Sequence, residues 1–167
     1  MMDLTVLIRK EIKGQFLQNR EGVENYIKAL NASRKDIPSE ELKERLLGAE
    51  KSKSPISFSM HLFPVDSSTG LFVAEGQDYF GKSGISGMIR SSENYGIIAF
   101  QKNYILKEPF FTGNYPEKDF NGNLNQFFYS GQYTLTSDGK FLAEGKYSRH
   151  GHELKYGGGT WEMEAKL

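Results

Sequence analysis

The sequence predicts a mainly β protein: an antiparallel meander of about eight strands closed into a barrel, with an N-terminal helical extension. Three observations predict it. Aromatics and glycines recur at every second residue through the C-terminal two thirds, which is the period of a strand. Composition changes near Lys53: Phe16 and Tyr26 are the only aromatics of residues 1–54, and the other 20 of 22 follow. Turn-forming clusters separate the alternating segments with no helical pattern between them, so consecutive strands pair antiparallel. Closure into a barrel removes the edges such a sheet would otherwise expose.

Residues 1–54 are read as the helical extension and 55–167 as the barrel domain. Leu4, Leu7, Ile8, Ile12 and Phe16 recur at three-to-four residue intervals and predict a first helix. Val23, Tyr26, Ile27 and Leu30 predict a second. In a third, Ser39 is the expected N-cap and Glu40 and Glu41 suit the positive end of the dipole. Leu42, Leu46 and Leu47 form its apolar face, Gly48 is placed to end it, and Glu41 and Arg45 sit at i, i+4. Helices this short are marginal alone in water. Their apolar faces therefore pack on the barrel, on each other, on a protein partner or across a homodimer.

Lys51 to Pro55 reads as a polar linker. The expected strands are Ile56–Phe63, Leu71–Gln77, Ser83–Arg90, Gly96–Leu106, Phe110–Tyr115, Gln126–Thr136, Lys140–Ser148 and Thr160–Ala165. Pro64 to Gly70 and Ser91 to Asn94 have turn composition. Asn121-Gly122 and Asp138-Gly139 are strong turn dipeptides, and the second lies between two alternating runs, which predicts a hairpin. Gly157-Gly158-Gly159 reads as a bulge or loop before the last strand, since a phosphate cradle needs a helix behind it.

Glycine weakens a strand unless close approach or bending requires it. Gly76, Gly87, Gly131 and Gly145 lie among Tyr104, Tyr129, Tyr133, Tyr147 and Trp161, as the inner face of a narrow barrel requires. An eight-stranded barrel either fills its interior with side chains or holds one small ligand, and both readings stand at this point.

The succession Gly76-x-Asp78-x-x-Gly81-x-Ser83-x-Ile85-x-Gly87, Ile98-x-Phe100-x-Lys102-x-Tyr104, Phe127-x-Tyr129-x-Gly131-x-Tyr133, Ala143-x-Gly145-x-Tyr147 and Gly159-x-Trp161-x-Met163 resembles the calycin-type barrels, the lipocalin-like and avidin-like group. The resemblance spans about Ile56 to Leu167. Named lipocalins carry Gly-x-Trp on their first strand; here Gly159-x-Trp161 is on the last and Phe58-x-Met60 on the first. The resemblance implies a small β-barrel domain, whose interior is either filled or able to hold a ligand.

Lys+Arg and Asp+Glu each number 21, for zero formal net charge, whereas a nucleic-acid binder carries a basic excess to neutralise phosphates. There are no cysteines, which removes disulfides and thiolate chemistry and fits a reducing compartment. No apolar run reaches transmembrane length, and the first residues lack the order of a signal peptide. A cytoplasmic protein with no membrane span is expected.

Hairpin pairing about Phe80 and Asn94 brings Asp78, Ser83 and Lys102 to one barrel mouth. They form either a clamp for the polar end of a ligand or a structural ion pair, since buried charges are paired whatever their role. His150-x-His152 with Glu153 or His61 is short of the four ligands of a closed zinc site, so no metal and no cofactor is expected. No spacing marks a catalytic triad or nucleophile elbow.

Three functions are carried forward. The first is a non-catalytic binding protein whose barrel holds a small apolar or amphipathic ligand. Phe100, Tyr104, Tyr129, Tyr133 and Trp161 line it, and Asp78, Ser83 and Lys102 anchor its polar end. The second is a filled barrel serving as a protein–protein interaction or oligomerisation module. The third is an isomerase- or cyclase-type enzyme using the barrel cavity.

Overall fold

A computed structural model describes residues 4–8, 10–91, 96–104, 126–149 and 158–167. Eight strands form one closed sheet: β1 (Glu11–Gln18), β2 (Ile56–Asp66), β3 (Leu71–Asp78), β4 (Gly81–Ser91), β5 (Gly96–Tyr104), β6 (Gln126–Leu135), β7 (Lys140–Arg149) and β8 (Gly158–Lys166). Each pairs antiparallel with its neighbours in sequence, and β1 pairs with β8 to close the barrel. The antiparallel meander barrel is therefore present.

Its first strand is not where the sequence pattern put it. β1 occupies the span expected to be the first helix, and Leu4–Leu7 before it is a single 3-10 turn. Ile12 and Phe16 are four residues apart, which suits one helix face and equally two steps of a strand. The residue between them on the inner face is Gly14, which has no side chain, so the alternation was invisible. A Cβ at Gly14 would lie 2.5 Å from Phe58 Cζ and 2.8 Å from Met163 Cβ. The glycine is thus the space into which a neighbouring aromatic packs, the same exchange that marks the later strands. Leu7 is fully buried in the barrel core, and Ile8 bridges to Leu62 in parallel sense. The turn thereby fills the barrel end from which β1 departs.

The helical part is consequently an insertion between β1 and β2, not an N-terminal extension: α1 spans Arg20–Ala32 and α2 spans Ser39–Lys51. Asn19 caps α1, its Oδ1 accepting from Gly22 N at 3.1 Å. The α2 start differs from expectation, since Pro38 is the N-cap residue, with no side-chain cap, and Ser39 is already helical. Gly48 does not end α2. The helix continues to Lys51, and Ser52 closes it by donating from both its backbone N and Oγ to Gly48 O at 3.0 and 2.9 Å.

The two helices pack chiefly on each other. Val23, Leu30, Leu42 and Ala49 are buried there, apart from the barrel's own cluster. Leu46 is half-buried and Leu47 is 61 % exposed, while Arg45 takes the buried position. Its guanidinium donates to Glu41 at 2.7 and 3.0 Å and to Tyr26 OH at 3.3 Å, so the buried cation is paired, as its desolvation demands.

The other strands lie close to expectation. β5 is described to Tyr104, and β8 begins at Gly158, taking in two glycines assigned to the preceding loop. The Asp138-Gly139 hairpin is present, with Gly139 at φ 79° and Thr136 and Lys140 bonded across the turn. The expected strand Phe110–Tyr115, the Asn121-Gly122 turn, Gly157, and the pair His150 and His152 with Glu153 lie outside the described residues. No described helix is long and apolar enough to cross a membrane.

Inward-facing residues form one buried cluster from Leu7 at one end to Phe16 and Ile56 at the other. Both helices leave and rejoin the barrel at this second end, the mouth. β3 turns into β4 there, and Lys51 Nζ, at the close of α2, lies 5.6 Å from the Tyr79 ring in that turn.

Candidate functional site

The mouth holds a charged cluster inside an otherwise apolar barrel. Asp78 is the last residue of β3, and the β3–β4 turn folds back over it, with Phe80 N donating to its Oδ1 at 2.8 Å. Lys102 and Tyr104 are alternate residues of β5, so both side chains point inward. Lys102 Nζ donates to Asp78 Oδ2 at 2.8 Å and to Tyr104 OH at 2.9 Å, and Tyr104 OH donates to the same Oδ2 at 2.7 Å. The Lys102 and Asp78 side chains are only 7 % and 1 % exposed.

The ammonium also faces aromatic rings. Nζ lies 4.7 Å from the Phe16 centroid, 4.6 Å from Tyr104, 5.6 Å from Tyr129 and 6.0 Å from Phe127, within the range at which ring quadrupoles attract a cation. Phe58, Phe80 and Phe127 are half-buried against the core at this end. They present apolar rims beside the charged pair. Tyr129 is fully buried below it. Burial and the negative charge of Asp78 hold its phenol well above the ordinary tyrosine range.

The sequence expectation of Asp78, Ser83 and Lys102 at one mouth is met in position, with a different internal geometry. Ser83 is 1 % exposed and pairs across strands with Gly76 and Tyr104. Its Oγ occupies the space that a Cβ on Gly76 would need, at 2.6 Å. Among the described residues Ser83 makes no hydrogen bond to Asp78 or Lys102; Tyr104 is the third member of the cluster. The sequence assigned Tyr104 only to the lining. The signal that could have found its polar role was the Lys102-x-Tyr104 spacing, which sets ammonium and phenol side by side on one face. Phe16 was missed with its strand.

The remaining expected lining residues fall into two groups at different depths from the cluster. Phe100, Tyr129 and Trp161 form a packed layer below it. Phe100 and Tyr129 stack at 4.6 Å, Trp161 meets Phe100 edge-on at 5.5 Å, and Tyr129 stacks on Tyr147 at 5.0 Å. Trp161 Nε1 is satisfied by Lys146 O at 3.0 Å. Tyr133 belongs to the far end, beside Phe141 at 5.4 Å and over the bare backbone of Gly96.

Grooves of 640 and 880 Å³ run over the outer faces of β1, β6, β7 and β8 along Gln15, Gln132, Glu144 and Glu162, outside the barrel. Among the described residues no group of three or more His, Asp or Glu could hold a metal ion; His61 is exposed on β2. Chemically, the mouth offers a carboxylate already holding three donors, a cation with ring faces around it, and flanking apolar rims. A scan against family models, a search of curated proteins and a search of solved structures each found no match.

Proposed function

We propose that the chain is a binding protein for a small, largely apolar molecule held at the barrel mouth. Its polar end lies against Lys102, Asp78 and Tyr104, and its body lies on the rims of Phe58, Phe80 and Phe127. The observation that carries this reading is the buried ion pair itself. Removing two charges from water costs several kcal/mol per ion before mutual attraction offsets it, and apolar residues of similar size usually serve stability as well or better. A barrel that already packs a continuous aromatic core gains no obvious stability from placing such a pair at its mouth. The resemblance to calycin-type barrels supports the same reading. The packed layer of Phe100, Tyr129 and Trp161 limits the ligand to the mouth and makes it small.

Titration with N-phenyl-1-naphthylamine, an uncharged fluorophore, tests this. Saturable one-to-one binding that weakens in Phe80→Ala and Phe127→Ala is expected. Non-saturable fluorescence, or binding indifferent to both substitutions, removes the reading.

A further inference from the structure

The hydrogen-bond inventory of the mouth specifies the kind of polar group it accepts. Asp78 is engaged on both oxygens, by Phe80 N on Oδ1 and by Lys102 and Tyr104 on Oδ2. An ammonium has three N–H donors. Two of those on Lys102 meet oxygens; the third has no oxygen partner among the described residues, and the rings of Phe16, Tyr104, Tyr129 and Phe127 lie within 6.0 Å of Nζ. The charges sum to zero: one carboxylate and one ammonium 2.8 Å apart, both buried.

From this we infer that the ligand presents a single uncharged acceptor, a ketone, aldehyde or ester carbonyl, to the remaining Lys102 N–H. The inference rests on the mouth being a binding site. A carboxylate would bring a second anion into a buried space already holding Asp78, and like charges at such range disfavour one another's ionised forms. A ligand ammonium would face Lys102 while finding Asp78 already held by three donors. A neutral carbonyl adds an acceptor where one donor lacks an oxygen partner and leaves the charge balance unchanged. A hydrogen bond to a charged donor contributes roughly 1.5–3 kcal/mol, so the carbonyl should tighten binding by about ten-fold or more.

The test compares four probes of one shape: naphthalene, 2-acetylnaphthalene, 2-naphthoate and 2-naphthylmethylammonium. The ketone is expected to bind at least about ten-fold tighter than naphthalene and tighter than either ion. In Lys102→Met, which keeps an apolar stem and removes the donor, the ketone-to-naphthalene ratio falls toward one. Should that variant not fold, infrared spectroscopy of carbonyl-labelled 2-acetylnaphthalene on the parent protein reads the same contact, and a shift of the bound carbonyl stretch to lower frequency is expected. Naphthalene binding with no gain for the ketone, with preference for naphthoate or with an unshifted carbonyl stretch overturns the carbonyl assignment while the mouth remains a binding site. Failure of every probe to bind removes the site, and the assignment with it.

Discussion

Breaking the Asp78–Lys102 pair from either side should be costly, and the two sides should not cost the same. Asp78→Leu leaves the Lys102 ammonium, 7 % exposed, with only Tyr104 OH and ring faces. An uncompensated buried charge of this kind costs about 3–5 kcal/mol. Lys102→Met leaves the Asp78 carboxylate with two of its three donors, Phe80 N and Tyr104 OH, so its cost should sit nearer the lower bound. The double variant removes both charges and should be more stable than Asp78→Leu alone, giving a coupling energy of about 2 kcal/mol or more, within the range found for contacting residues. Urea unfolding followed by Trp161 fluorescence and far-ultraviolet circular dichroism reads this directly. With a slope of about 2 kcal/mol/M, Asp78→Leu should lower the midpoint by about 2 M. Single variants each costing under about 1 kcal/mol, or strictly additive effects, would show a solvated pair and refute the reasoning.

Other positions give independent tests. Gly14→Val should destabilise the barrel by roughly 2 kcal/mol or more, in the manner of an overpacked core, because its Cβ meets Phe58, Met163 and Glu162 O within 2.8 Å; an unchanged melting temperature contradicts the packing described. Gly139→Ala has open space around its Cβ but φ 79°, so only the left-handed backbone opposes it, at about 1–2 kcal/mol. Asn19→Ala should cost about 1 kcal/mol by removing the α1 cap, measured by the same unfolding curves. Tyr129 sets an alkaline limit. Below pH 10 its phenol is protonated whether the chain is folded or not, whereas above it only the unfolded chain ionises freely. Stability should therefore fall by about 1.4 kcal/mol per pH unit above pH 10, and Tyr129→Phe should flatten that fall. An ultraviolet titration in which every tyrosine ionises near pH 10 in the folded protein would contradict it.

What the sequence made visible was whatever carried a side chain. Alternating aromatics exposed most of the strands of the barrel. Hairpin arithmetic set Asp78, Ser83 and Lys102 at one mouth, although Lys102 pairs with Ile85 and Tyr104 with Ser83. β1 escaped because its central inward residue is Gly14, leaving Ile12 and Phe16 at a spacing two structures share. The same missing side chain sets the expected helices at the terminus and hides Phe16 from the ring of aromatics around Lys102. The α2 boundaries escaped because capping there depends on Pro38 and Ser52, which no spacing distinguishes from their neighbours. Tyr133 was grouped with Tyr129 because period two fixes which face a residue takes and says nothing of how far along the barrel its ring ends.

Chemical-shift mapping on isotope-labelled protein titrated with 2-acetylnaphthalene tests the central claim most directly. The account predicts saturable shifts concentrated at Asp78, Phe80, Ser83, Lys102, Tyr104 and Phe127, with Tyr133 and Phe141 unmoved. Shifts confined to the outer grooves along Gln15, Glu144 and Glu162, or no saturable shift at any concentration, would contradict it.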